Sequence, residues 1–298
     1  MRKHTLHGYI NGILAAISYG TNPLFTLPMY KLGMSVNSVL FYRYLFAVII
    51  YGLGLKFFKK TNFKITIKEF ICLLIMAILF ALSSITLFES FKYLDSGIAC
   101  TILFVYPIIV ALISTVFFKE KLSKISIFAM FITLGGIFAL NGGIRGHLNF
   151  LGVAFVLGSA LVYAIYIVLV KNLQTIKHMK HDKLSFYVML MGLTVFIFNL
   201  KFCTELQPIS DWKVLACSIA LAIFPTIISL ETINIAIRLI GPTTTAILGA
   251  LEPLTAIFFG LLLFHEKLTT NSVIGIILIL VGVMLIILKD RLSKLKFK

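Results

Sequence analysis

Charge is scarce in this sequence. Only 13% of its 298 residues are Asp, Glu, Lys or Arg, about half the fraction of a soluble globular protein. The shortage is also one-sided, with 11 acidic residues against 27 Lys and Arg. Asp95, Asp182, Asp211 and Asp290 all fall in loops or at the ends of apolar runs, so paired aspartates inside those runs are excluded. Neither HExxH nor GxSxG occurs, which removes two common hydrolase arrangements and any positive reason to read an enzyme. No GxxxxGK[ST] loop is present to bind the phosphates that drive a primary pump, and the TVGYG channel filter is missing. Cys72, Cys100, Cys203 and Cys217 show no CxxC spacing. They read as free thiols packed like small apolar residues. No metal and no cofactor is expected. Long polar stretches are missing too, which leaves no room for a separate soluble domain.

What the chain does have is apolar length. It is 60% hydrophobic, with a mean hydropathy of +1.04. A spanning helix needs about 20 mostly apolar residues. On that template ten spans are expected, at 8–29, 37–58, 69–92, 96–118, 125–142, 150–171, 184–203, 213–237, 243–264 and 271–289. The run after Met1–His7 is too long for a signal peptide and lacks a cleavage site, so it reads as the first of them. With the N-terminus in the cytoplasm, 20 Lys and Arg fall on the inner side and 6 on the outer, leaving Arg43 within a span. That asymmetry predicts both termini in the cytoplasm of a prokaryotic inner membrane. It also explains the net charge of +16 as a topology signal, which excludes nucleic acid as a partner. The basic tail Lys289–Lys298 should meet anionic lipid headgroups of the bilayer.

The chain repeats itself at an offset of 146 residues. Phe118-Lys119-Glu120-Lys121-Leu122 matches Phe264-His265-Glu266-Lys267-Leu268, Pro107 matches Pro253, and Leu134 and Gly136 match Leu280 and Gly282. A fixed-offset repeat takes precedence over other fold reasoning. The expected fold is all-α: ten transmembrane helices as two five-helix repeats, 1–145 and 146–298. Five is odd, so the second copy must enter the membrane from the opposite face. Inverted repeats of this kind underlie alternating access in many secondary transporters.

Ionisable groups inside the bilayer cost at least about 2.5–3.5 kcal/mol and should face a cavity or a partner. Arg43 and Glu89 both lie near the outer surface, where a buried ion pair or a cavity contact is expected ahead of the alternative that each snorkels separately to the headgroups. Glu231 and Glu252 fall in the inner half, about 5 Å apart in depth, where a carboxylate can carry a proton or meet a cationic group. Candidate pathway residues are Tyr19 and Asn22 on the first span, Ser83 and Ser84 on the third, Thr101 and Tyr106 on the fourth, and Tyr163 and Tyr166 on the sixth. Pro107 and Pro253 are expected to kink equivalent helices. Gly8 and Gly12 point to close helix packing. His178 and His181, set among Lys177, Lys180 and Lys183, read as solvated surface.

LEPLTAIFFGLLLFHEKL with Gly275 and Gly282 resembles the EamA-type permeases of the drug/metabolite transporter superfamily. So do Pro107, Lys119-Glu120-Lys121-Leu122 and LGGIFAL in the first half, and Tyr19-Gly20-Thr21-Asn22 and Tyr166. The resemblance implies ten helices, cytoplasmic termini, a cavity between the halves, and export or exchange of small metabolites. Glu89 and Glu231 depart from that pattern. The expected function is a secondary transporter, monomer or homodimer, with protons as the candidate coupling ion. Amino acids and their analogues are the first substrate guess. The rival readings are a non-transporting receptor or scaffold, and a facilitative channel-like pore.

Overall fold

The computed structural model describes residues 3–90, 93, 94, 99, 102–140, 149–263 and 269–295. Thr101, Cys100 and the 264–268 segment lie outside the described residues. The described elements are helical: α1 (Lys3–Gly20), α2 (Asn22–Lys31), α3 (Val36–Phe57), α4 (Ile67–Ser90), α5 (Tyr106–Phe118), α6 (Lys124–Leu140), α7 (Phe150–Asn172), α8 (Gln174–Lys177), α9 (His181–Asn199), α10 (Trp212–Ala222), α11 (Ser229–Ile240), α12 (Pro242–Leu248), α13 (Leu251–Leu263) and α14 (Thr270–Leu295). Among the described residues, six helices are long and apolar enough to cross a membrane: α3, α4, α7, α9, the run Trp212–Ile240 and the first part of α14. The chain is therefore a membrane protein by length and composition. Several of its starts are locally encoded. Ser35 caps α3 by accepting from the Ser38 amide at 3.3 Å, and Asn149 caps α7 through the Leu151 amide at 2.9 Å. Thr66 and Glu69 form a reciprocal capping box at the start of α4.

Four of the expected spans are interrupted, and a proline lies at or just after each interruption. The first is α1 and α2, separated at Thr21, with Pro23 in the first turn of α2. The ninth is α12 and α13, separated at Gly249-Ala250, with Pro253 third in α13. Pro107 likewise sits in the first turn of α5, just after the turn at Phe104-Val105. Phe104 and Ala250 are 146 residues apart, so the two breaks occupy equivalent points of the repeat. The expected kinks at Pro107 and Pro253 are thus helix starts after a break, where a missing amide costs nothing. In the eighth span, Pro225 lies in a six-residue π-helical segment, Ile223–Ile228, between α10 and α11. Proline cannot donate to the carbonyl four residues back. That carbonyl, on Leu221, instead accepts from the Thr226 hydroxyl at 2.7 Å.

Close packing fixes the frame around these breaks. Helices α6 and α14 touch backbone to backbone: a Cβ on Gly275 would stand 2.6 Å from the Gly136 carbonyl oxygen, and one on Gly282 3.0 Å from that of Ala129. Side chains larger than glycine would force the pair apart. Gly8 and Gly12 of α1 face Ile240 and Leu248 at similarly short range. Helix α3 and the α9 region are tied together at both ends. At one end Asn199 donates to Asn37, and Tyr42 donates to the Gln207 carbonyl at 2.8 Å. At the other, Tyr187 donates to the Phe63 carbonyl and Lys59 reaches Asp182 at 3.7 Å. Tied at both ends, this pair resists being pulled apart from either side.

Candidate functional site

Where the broken helices meet, they enclose a cavity. It is lined by Tyr19, Phe80, Ser83, Ser84, Leu87, Leu103, Tyr106, Tyr163 and Glu252. Six of these, Tyr19, Ser83, Ser84, Tyr106, Tyr163 and Glu252, are polar residues that the sequence singled out, drawn from five separate spans. Tyr106 and Glu252 are repeat-equivalent positions, each just before a matched proline. The same point of the two copies thus supplies a phenol on one side and a carboxylate on the other.

Local structure explains how each side chain gets there. Tyr19 ends α1, and Gly20 lets that end rest on the first turn of α13; a Cβ there would lie 2.5 Å from the Glu252 carbonyl oxygen. Tyr106 spends its hydroxyl on the Ala246 carbonyl, 3.1 Å away, at the end of α12. That carbonyl also accepts from the Gly249 amide, at 3.2 Å, in the turn that ends α12. Tyr106 meets Tyr163 edge-on at 5.1 Å between ring centroids, and Tyr163 stacks parallel to Tyr166 at 6.4 Å. Ser83 joins α4 to α7 by accepting from the Ser159 hydroxyl at its carbonyl, at 2.7 Å. Ser84 donates back to the Phe80 carbonyl, so its hydroxyl is occupied within its own helix. The rings fill most of the space, leaving room for about one ordered water.

Glu252 stands apart from these satisfied groups. It lies in the first turn of α13, is partly buried, and turns its remaining surface to the cavity. Among the described residues its carboxylate makes no hydrogen bond and no ion pair. A carboxylate held in an apolar span without a partner is costly, and nothing in the local packing requires it.

Arg43 lies at the next layer. It is buried, 2% exposed, and all three of its nitrogen groups are engaged. Nε donates to the Thr226 hydroxyl at 2.6 Å, Nη2 to the Pro225 carbonyl at 2.9 Å, and Nη1 to the Asn22 side-chain oxygen at 3.3 Å. The guanidinium also stands 5.7 Å from the centre of the Tyr19 ring. These contacts overturn the expected ion pair with Glu89, which is not among the partners of Arg43. The reason is positional: the breaks in the first and eighth spans expose oxygen acceptors closer to Arg43 than the last turn of α4, where half-buried Glu89 makes another contact. Asn22 accordingly serves Arg43 and does not line the cavity.

Glu231 belongs elsewhere. Its Oε1 contacts His181 Nδ1 and lies 4.0 Å from Lys59 Nζ, and Tyr51 and Ser185 flank the same carboxylate. It forms a charged cluster at the end of the bundle that also holds Asp182. His181 is therefore a partner of a buried carboxylate, not the plain solvated residue its loop position suggests. Tyr166 is likewise structural in its polar contact: its hydroxyl donates to Asn234 at 2.9 Å, and Asn234 donates to Ser185 at 3.1 Å. Thr226, Asn234, Ser159, His181 and Lys59 carry no sequence signal. Cys72, Cys203 and Cys217 are free thiols, and no metal-ligating group of three His, Cys, Asp or Glu forms among the described residues.

The profile of the EamA-like transporter family matches residues 6–142 and again 150–288. The chain belongs to the EamA-like transporter family. That family lies within the drug/metabolite transporter superfamily. The chain is 25% identical over 226 residues to the uncharacterized transporter YvbV of Bacillus subtilis (strain 168), covering 72% of each protein. It is 27% identical over 210 residues to the uncharacterized transporter sll1319 of Synechocystis sp. (strain ATCC 27184 / PCC 6803 / Kazusa), covering 68% of this chain and 62% of that one. A protein crystal structure shares the fold with a TM-score of 0.80 at 16% identity, over 95% of this chain and 97% of the other. These similarities point to a membrane transporter and away from an enzyme.

Proposed function

We propose that this EamA-family protein is a secondary transporter that moves a small metabolite across the cytoplasmic membrane by alternating access, through the cavity that Glu252 faces. The observation that carries the reading is a carboxylate without a partner among the described residues, set among tyrosines at the meeting point of helix breaks. A structural bundle has no use for such a group, whereas a binding cavity does. The ten spans would form two inverted five-helix repeats, 1–145 and 146–298. The breaks near Phe104 and Ala250, at equivalent points of the two copies, supply matching hinges for exchange of their conformations. The end of the bundle rich in Lys and Arg would face the cytoplasm, with both termini there. Export or exchange of amino acids or related compounds, in a monomer or homodimer, is the working form of the proposal. Protons are the candidate coupling ion, with Glu252 the group to carry them.

Uptake and counterflow in proteoliposomes, with a mixed pool of labelled metabolites and an imposed pH gradient, test this directly. Saturable accumulation that collapses with the gradient is the expected result. Counterflow indifferent to the gradient would remove the proton and leave an exchanger. Absence of flux for every compound, from protein verified as folded, would overturn transport itself.

A further inference from the structure

The cavity's chemistry narrows the cargo beyond what the family implies. Among the described residues its lining holds one carboxylate, three phenol rings, one further aromatic ring, two serines and two leucines, and no Lys, Arg or His. Arg43 lies outside the lining, 5.7 Å from the centre of the Tyr19 ring, and each of its three nitrogens gives one hydrogen bond, to Thr226, Pro225 and Asn22. Among the described lining residues a ligand carboxylate finds no cation, and it would meet Glu252 instead. A ligand ammonium finds the reverse: a carboxylate with no partner among the described residues, and the rings of Tyr19, Tyr106, Tyr163 and Phe80 lining the same space. Aromatic rings about a cation are a recognised solution for binding ammonium groups, and a buried carboxylate adds the opposite charge.

We infer that the cavity selects cargo by a cationic amine, paired with Glu252 and enclosed by Tyr19, Tyr106 and Tyr163, and that it discriminates against a free carboxylate on the same molecule. The substrate class is organic amines, or amino-acid derivatives whose acid group is absent or masked, ahead of the amino acids themselves. This rests on the cavity being the cargo site of the proposed transporter. In the conformation described the rings close on the carboxylate, so entry of such a ligand requires the half-helices α1, α5 and α13 to part. Ser84 donates within its own helix and Ser83 is bonded to Ser159 of α7, which leaves Glu252 as the charged determinant.

Binding of three matched probes to the purified wild-type protein in nanodiscs, by calorimetry, separates the possibilities: 2-phenylethylamine, phenylalanine and 3-phenylpropionate carry the same ring with an amine, both groups, or an acid alone. The expected order is amine first, at least about tenfold tighter than phenylalanine, with no measurable binding of the acid. In Glu252→Gln the preference for the amine should vanish, while Glu231→Gln should keep it. Equal or tighter binding of the acid or of phenylalanine overturns the inference, as does an amine preference that survives in folded Glu252→Gln. The probe series on the wild-type chain decides the matter even where the variant fails to fold. Flux of an anionic metabolite without dependence on Glu252 would sink the amine rule and leave transport standing. Saturable, Glu252-dependent amine binding without any flux would do the opposite.

Discussion

Glu231 and Glu252 look alike in the sequence: two lone carboxylates in apolar runs, at similar depth. In the fold they are opposites. Glu231 is gripped by His181 and approached by Lys59 at the end of the bundle. Glu252 faces a ring-lined cavity and has no hydrogen-bond or ion-pair partner among the described residues. A paired buried carboxylate ties elements together, and its net value to stability is modest. An unpaired one is retained against its cost, which is the mark of a group kept for a ligand. The difference shows that depth in the membrane says little about function until the partners are known.

The sharpest way to break this comparison is to neutralise each carboxylate in turn. Glu252→Gln should lower transport of the cationic cargo about 30-fold or more, the scale for losing one partner of a desolvated charge pair. Glu231→Gln should stay within a few-fold of wild type. Initial uptake rates at matched protein insertion measure both, and a reversed ranking would assign the binding role to Glu231.

A second experiment asks whether Arg43 belongs with the structural group. Arg43→Leu leaves the Pro225 carbonyl, Thr226 and Asn22 without their donor, and should destabilise the protein by about 3 kcal/mol. Arg43→Lys should recover only part of that, since one ammonium cannot reproduce the fork that reaches three acceptors on two interrupted spans. Thermal unfolding in detergent gives both values. Full stability in Arg43→Leu would mean that the π-helical segment at Pro225 holds without it.

The smallest effect sharpens the account of Glu231. A double-mutant cycle on His181→Ala and Glu231→Gln should yield a coupling of about 1 kcal/mol in unfolding free energy. Transport of the cationic cargo should change little in the His181 variant. Additive effects would show that the two side chains are neighbours without being partners.

Much of the candidate site was legible as a set of residues and not as a set of contacts. Tyr19, Ser83, Ser84, Tyr106, Tyr163 and Glu252 stood out because polar groups in apolar runs are few, and the cavity gathers them. Asn22 and Tyr166 stood out for the same reason and were drawn into structural bonds. Thr226, His181 and Asn234 could not be found, since Thr and Asn are common in membrane helices and His181 lies in a basic loop. The Arg43–Glu89 pairing failed because two side chains at similar depth need not share a face.

The amino-acid sequence by itself determined the membrane class, where the apolar runs lie, and that the helical ladder is disturbed at Pro107 and Pro253. Each follows from a local sum: hydrophobic length against bilayer thickness, or a missing amide in a helical ladder. The tertiary structure alone decided which polar groups meet. Apart from α11, whose polar residues share a face, helices such as α3, α6 and α9 show no polar stripe that marks the inward face. The choice of partner for Arg43, Glu231 and Glu252 depends on which neighbouring helix breaks its ladder within reach, and that is settled only when the helices pack.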